Sequence, residues 1–138
     1  MDEATVTIFV CISCRRSLGD AEESFDQPGR DLADALRVRL GDQTGVAVTP
    51  VDCLAVCKRP CTVALAGAGK WTYLIGDLDP DSHAEEVVAA ALSFAASENG
   101  IVAWRERPAS FRKGVIARVP PIMVGNATRD SALEAIDP

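Results

Sequence analysis

From Thr5 to Val10 the chain alternates threonine with Val or Ile before it reaches Phe9 and Val10. This β-branched run predicts a first strand that ends at Cys11. Val46 to Val51 alternates in the same way and predicts a second strand, which delivers Cys53 at its end. Between them Ser17 to Gly29 is polar and acidic, with a Gln27-Pro28-Gly29 break, and reads as a loop. A helix follows from about Arg30 to Leu40, with Leu32, Leu36 and Leu40 at helical spacing and Gly41 as its stop. Thr62 to Ala66 and Trp71 to Ile75 flank Gly67-Ala68-Gly69-Lys70, the pattern of a β-hairpin. Asp79-Pro80-Asp81-Ser82 offers caps for a second helix from about His83 to Ser97, striped by Val87, Val88, Ala91, Leu92, Phe94 and Ala95 and ended by Gly100.

The order β, α, β, β, β, α predicts an α/β fold with four strands and two helices over residues 1–100. Beyond Gly100 the pattern weakens. Val102-Ala103-Trp104 and Val115-Ile116-Ala117 read as short extended segments, and Pro108, Pro120 and Pro121 interrupt any regular element. Residues 101–124 are expected to be an extension that packs on the domain or on a partner, a second copy of the chain included. Residues 125–138 are expected to form a flexible tail.

A chain of 138 residues can bury its own core without metal or disulfide staples, so stability does not explain its five cysteines. Met1-Asp2-Glu3 lacks a basic leader, and the apolar run Val6 to Ile12 is too short for a signal or a membrane span. These features place the chain in the reducing cytoplasm, where clustered cysteines serve as metal ligands or redox groups. With 20 acidic residues against 14 basic ones, the net charge of −6 argues against a nucleic-acid partner, and no segment argues for a membrane.

The cysteines fall into Cys11-Ile-Ser-Cys14 and Cys53-Leu-Ala-Val-Cys57, with Cys61 just beyond. Four thiolates gathered at two strand ends, Cys11, Cys14, Cys53 and Cys57, can hold zinc tetrahedrally or ligate the two irons of a 2Fe-2S cluster. The unequal spacing of the pairs and the fifth cysteine lean toward iron-sulfur and leave zinc or another soft metal, held for delivery or sensing, as the alternative. His83 is the only histidine, which excludes Rieske and Cys2His2 sites and suits a helix terminus. A thioredoxin-type dithiol at Cys11-x-x-Cys14, serving thiol-disulfide exchange, is the second alternative. It would want a helix at once after the motif to lower a thiol pKa, where this chain has about fifteen polar residues. Gly69-Lys70 is not a phosphate loop, since Trp71 stands where Ser or Thr would bind magnesium. Trp71 and Tyr73 share one strand face and read as packing residues. No catalytic acid, base or nucleophile constellation emerges, so the chain reads as a carrier or binding module and not as an enzyme.

The segment Val51-Asp-Cys-Leu-Ala-Val-Cys-Lys-Arg-Pro-Cys-Thr-Val resembles the second ligand loop of thioredoxin-like 2Fe-2S ferredoxins, the ferredoxin-like subunit of respiratory NADH dehydrogenase among them. In that group the pattern is Cys-Leu-Gly-x-Cys followed by x-x-Ala-Pro and a strand. From Val6 to Pro121 the chain also resembles a bacterial family of predicted metal-binding proteins of unknown function. That likeness rests on Cys-x-Ser-Cys-Arg, Cys-Leu-x-x-Cys-x-x-Pro-Cys, Gly69-Lys-Trp-Thr-Tyr-Leu-x-Gly-Asp-Leu, Trp104-Arg-Glu-Arg-Pro and Ala117-Arg-Val-Pro-Pro. Some members are encoded near cobalamin or metal-homeostasis genes.

The resemblance implies a thioredoxin-like ferredoxin fold with a four-stranded mixed sheet. It implies a 2Fe-2S electron carrier with Cys53 and Cys57 as the second ligand pair and Cys11 and Cys14 as the first. Cys61 occupies the place of the ferredoxins' loop proline, which makes it the alternative ligand to Cys14. Arg15, Arg16, Lys58 and Arg59 flank the motifs, where cations favour a negatively charged cluster and can steer an acidic redox partner.

Overall fold

A computed structural model describes residues 6–13, 16–17, 25–26, 28–41, 45–55 and 60–121. Its elements are strands β1 (Val6–Cys11), β2 (Arg16–Ser17) and β3 (Phe25–Asp26), helix α1 (Pro28–Leu40), strands β4 (Val46–Val51), β5 (Val63–Gly67) and β6 (Thr72–Ile75), helix α2 (Ala84–Ala96), a short helix α3 (Ser110–Lys113) and strand β7 (Val115–Val119). A turn of 3-10 helix, Trp104–Glu106, lies between α2 and α3.

The sheet runs β4-β1-β5-β6-β7. β1 pairs parallel to β4, as a strand joined to its neighbour through a crossover helix must, and antiparallel to β5. The β5–β6 hairpin closes as its turn residues predict, with Val63 opposite Ile75. Val6, Ile8 and Val10 are fully buried on the sheet face that α1 and α2 cover. Leu32, Leu36 and Leu40 from α1 meet Ala84, Val87, Ala91 and Phe94 from α2 over that row, with Leu65, Tyr73 and Ile75 completing the core. On the opposite face the register sets Thr49, Phe9, Ala64, Leu74 and Ala117 in one row across the five strands.

Among the described residues the sheet has five strands and there are three α-helices, which corrects the expected four strands and two helices. β7 was read only as a short extended segment at Val115-Ile116-Ala117 and not as part of the sheet, because Leu74 pairs with Ala117 while Ile75 pairs with Val115. Ile116 is therefore an extra residue, and the bulge breaks the alternation that marks a strand. α3 is a single turn, too short for a periodic signal. The Ser17 to Gly29 segment, read as loop, contributes the two-residue pair of β2 and β3, and α1 begins at Pro28 within it. Proline at the first helical position costs no hydrogen bond, so the apparent break is the helix's opening turn. The expected tail, residues 125–138, lies outside the described residues.

Candidate metal centre

The strand register brings Cys11, Cys53 and Cys61 to one end of the sheet. Cys11 pairs with Val51, the last residue of β4, so Cys53 follows two residues beyond Cys11's own partner. On the other side Val10 pairs with Val63, the first residue of β5, which puts the Cys61-Thr62 lead-in alongside the end of β1. The Cys11 N–H donates to the Thr62 carbonyl at 3.0 Å, and the Ile12 N–H donates to the Val51 carbonyl at 3.0 Å. The chain leaving β1 is thus clamped from both sides.

Cys11 is buried, with its Sγ 3.9 Å from the Asp52 carbonyl oxygen. Cys53 is exposed, and its Sγ accepts a 3.1 Å hydrogen bond from the Ala55 N–H. Ala55 adopts φ of 63°, a left-handed conformation that turns this N–H back toward the sulfur. An N–H aimed at a cysteine sulfur is the kind of hydrogen bond that cluster-bound sulfurs accept. Cys61 is fully buried and belongs to the apolar core. Its backbone exchanges two hydrogen bonds with Leu78, at 3.1 and 3.0 Å.

Cys14 and Cys57 lie outside the described residues, as do Arg15, Lys58 and Arg59, and only the backbone of Arg16 is described. Among the described residues no group of three or more His, Cys, Asp or Glu side chains is placed to hold a metal ion. His83 stands at the N-cap of α2, where its Nδ1 accepts the Asp79 N–H at 2.9 Å, so a backbone contact occupies one ring nitrogen. Trp71 and Tyr73 are both buried, in keeping with packing roles.

One residue that matters to this end of the sheet was passed over as a helix break. Gly29, buried in the first turn of α1, sits so close to Cys11 that a Cβ there would overlap the Cys11 carbonyl oxygen. It would also stand 2.8 Å from the Cys11 carbonyl carbon and 3.0 Å from Ile12 Cα. Absence of a side chain lets the helix N-terminus, with its partial positive charge, close on the backbone that carries Cys11. Its sequence signal was the Pro-Gly opening of a helix directly after a cysteine loop.

The loop after β6 builds the neighbouring ground. Asp79 Oδ2 accepts the Asp81 and Ser82 N–H groups at 3.0 and 2.8 Å and so organises the turn that starts α2. Glu86 accepts both the N–H and the hydroxyl of Ser110, at 2.9 and 2.8 Å, which ties α3 to α2. These two bonds, the backbone one foremost, hold the Glu86 carboxyl below its ordinary pKa of 4.5. A cavity of about 280 Å³ opens between Gly76, Asp77, His83, Ser110 and Lys113.

A five-stranded mixed sheet with its helices on one face and cysteine loops at one end defines a thioredoxin-like α/β protein. Two solved structures share this architecture. A thioredoxin-like 2Fe-2S ferredoxin from Aquifex aeolicus matches with a TM-score of 0.55 at 20% identity, over 88% of this chain and 100% of that one. The wild-type thioredoxin-like 2Fe-2S ferredoxin of the same organism matches with a TM-score of 0.52 at 20% identity, over 83% and 99%. The chain belongs to the family described as "Protein of unknown function (DUF1636)", whose model matches residues 8–121. No curated protein matches it.

Proposed function

We propose that this chain is an electron carrier in the cytoplasm that holds a 2Fe-2S cluster on Cys11, Cys14, Cys53 and Cys57. One observation carries the reading: parallel pairing of β1 and β4 sets Cys11 and the Cys53 loop at adjacent strand ends, in a fold shared with solved 2Fe-2S ferredoxins.

The donors fit the group. Cysteine sulfur is the ligand that iron-sulfur clusters take, and the Ala55 N–H supplies the kind of hydrogen bond that such sulfurs receive. Cys61 belongs to the continuous apolar cluster, which does not include the equally buried Cys11, and we therefore take Cys61 as packing and Cys14 as the fourth ligand. A bound 2Fe-2S cluster supplies one-electron redox chemistry. The protein's part is to clamp Cys11 between Val51 and Thr62, to orient the Cys53 sulfur, and to shield one side with the core beneath Cys61. Arg15, Arg16, Lys58 and Arg59 offset the negative charge of a thiolate-bound cluster.

Anaerobic purification tests the reading. The expected product is red-brown, with iron and sulfide in equal amounts. Cys14→Ser abolishes the colour, and Cys61→Ser keeps it while lowering the melting temperature. A preparation that stays colourless after reconstitution with iron and sulfide would overturn the proposal. About one zinc per chain and no iron would select the zinc module. A strongly lowered Cys11 or Cys14 pKa in metal-free protein would select the thiol-disulfide oxidoreductase.

A further inference from the structure

Residues 104–113 hold Arg105, Arg107, Arg112 and Lys113 against the single carboxylate of Glu106, in a chain whose net charge is −6. Arg105, Arg112 and Lys113 are exposed, and Trp104 among them exposes 57% of its surface. The ion pairs among the described residues lie elsewhere, at Arg37–Asp34 and Arg39–Glu85.

This ledge is rigidly built. Arg112 donates from Nε to the Trp104 carbonyl at 3.1 Å and from Nη2 to the Arg105 carbonyl at 3.0 Å, which locks the 3-10 turn onto α3. Arg107 donates from Nε to the Val102 carbonyl at 2.8 Å. Its guanidinium lies 5.4 Å from the Tyr73 ring centre and 5.6 Å from that of Trp104. A surface fixed in this way loses little entropy when it binds.

Its position ties it to the cysteine end. The Gly114 carbonyl, next after α3, accepts the Gly76 N–H at 2.9 Å, and Leu78, two residues further on, pairs with Cys61. Lys113 lines the cavity with Gly76, Asp77 and His83.

We infer that Trp104, Arg105 and Lys113 form a docking surface for an acidic segment of a partner protein, with Trp104 as its apolar anchor. Tryptophan and arginine dominate the energetics of protein interfaces, and the local positive charge on an acidic molecule selects a partner of opposite sign. The remaining acidity of the chain opposes a nucleic-acid backbone. The purpose of the surface rests on the electron-carrier reading, whereas binding itself needs no cluster.

The test uses fluorescence anisotropy of a labelled twelve-residue peptide of glutamates with two leucines, read at low salt and at about 0.3 M salt, where exposed charges are screened. The acidic peptide binds and its lysine counterpart does not, and salt weakens the complex. Trp104→Ala, Arg105→Glu and Lys113→Glu each lower the affinity about tenfold or more with the circular dichroism unchanged. Arg37→Glu, on exposed α1, leaves it as it is. Equal binding by the three variants overturns the assignment, as does an equal loss in Arg37→Glu. A single-stranded oligonucleotide that displaces the peptide at equal charge overturns it as well. A colourless protein that binds the peptide supports the docking surface and rejects the cluster; a red-brown protein indifferent to it does the reverse.

Discussion

Gly29→Ala is the substitution that most directly probes how the helical layer meets the cysteine end. The added Cβ would overlap the Cys11 carbonyl oxygen and press on the Cys11 carbonyl carbon and Ile12 Cα. All three are backbone atoms, so no side chain can rotate away, and either α1 or the Cys11–Ile12 segment must move. Overpacking of a fixed contact costs about 1–3 kcal/mol. Alanine returns up to about 1 kcal/mol through its better helix propensity. The net loss is about 1–2 kcal/mol, which at about 3–5 °C per kcal/mol for a chain of this size is a fall in melting temperature on the order of 3–10 °C. Thermal melts followed by circular dichroism measure the first effect, and site-resolved alkylation with mass spectrometry measures the second, a faster labelling of Cys11 as its clamp loosens. Gly69→Ala is the control. Its φ of +70° imposes about 1–2 kcal/mol of left-handed strain with no atom within 4 Å of the new Cβ, so it lowers stability without altering Cys11. A Gly29→Ala protein that melts at or above wild type with unchanged Cys11 labelling would refute the close-approach argument.

Tyr73→Phe removes the hydroxyl that accepts the buried Val102 N–H at 3.1 Å and contacts Arg107 Nη2 at 3.4 Å. The stranded N–H costs about 1–3 kcal/mol, seen as a lower denaturation midpoint. Ala55→Gly relieves a left-handed alanine at φ 63°, worth about 1–2 kcal/mol, against roughly 0.4–1 kcal/mol of extra chain entropy in the unfolded state. The variant is expected to melt slightly higher and to keep the N–H bond to Cys53; a clear loss of stability would contradict the strain. Glu86 has a folded pKa below 4.5, so its bonds to Ser110 contribute stability that is complete above pH 4.5 and fades as the pH falls through the lowered value. Glu86→Gln should therefore melt lower than wild type at pH 7, with the gap narrowing below pH 4.5.

Much of the fold was legible because the elements that face the helical layer obey a simple period. β1 alternates buried and half-buried positions, and α1 repeats leucine every four residues. The fifth strand was legible only as a short extended segment at Val115-Ile116-Ala117, because its bulge at Ile116 breaks the period and its partner β6 can be recognised only through pairing across forty residues. At the site, the sequence shows two cysteine clusters at strand ends, and the register places Cys11 beside Val51, two residues before Cys53. Gly29 was illegible for a different reason. Its importance comes from what α1 touches in three dimensions, and a Pro-Gly pair reads equally as a turn or as the start of a helix.

The contrast between Cys11 and Cys61 shows what the topology adds to the cysteine count. Both flank the same backbone junction, since the residue following Cys61 accepts the Cys11 N–H, and both are buried, but only Cys61 belongs to the continuous apolar cluster. Cys61 precedes β5 as a member of the continuous apolar core, and its backbone is occupied by Leu78. Drawing its sulfur out toward the Cys53 loop would empty a buried volume and break two backbone bonds of about 1 kcal/mol each. Cys11 is buried as well, but its strand ends beside Val51, so its backbone already stands next to the loop carrying Cys53. The proline that precedes Cys61 in the sequence therefore marks the return of the chain toward the sheet, where Cys61 joins the apolar core.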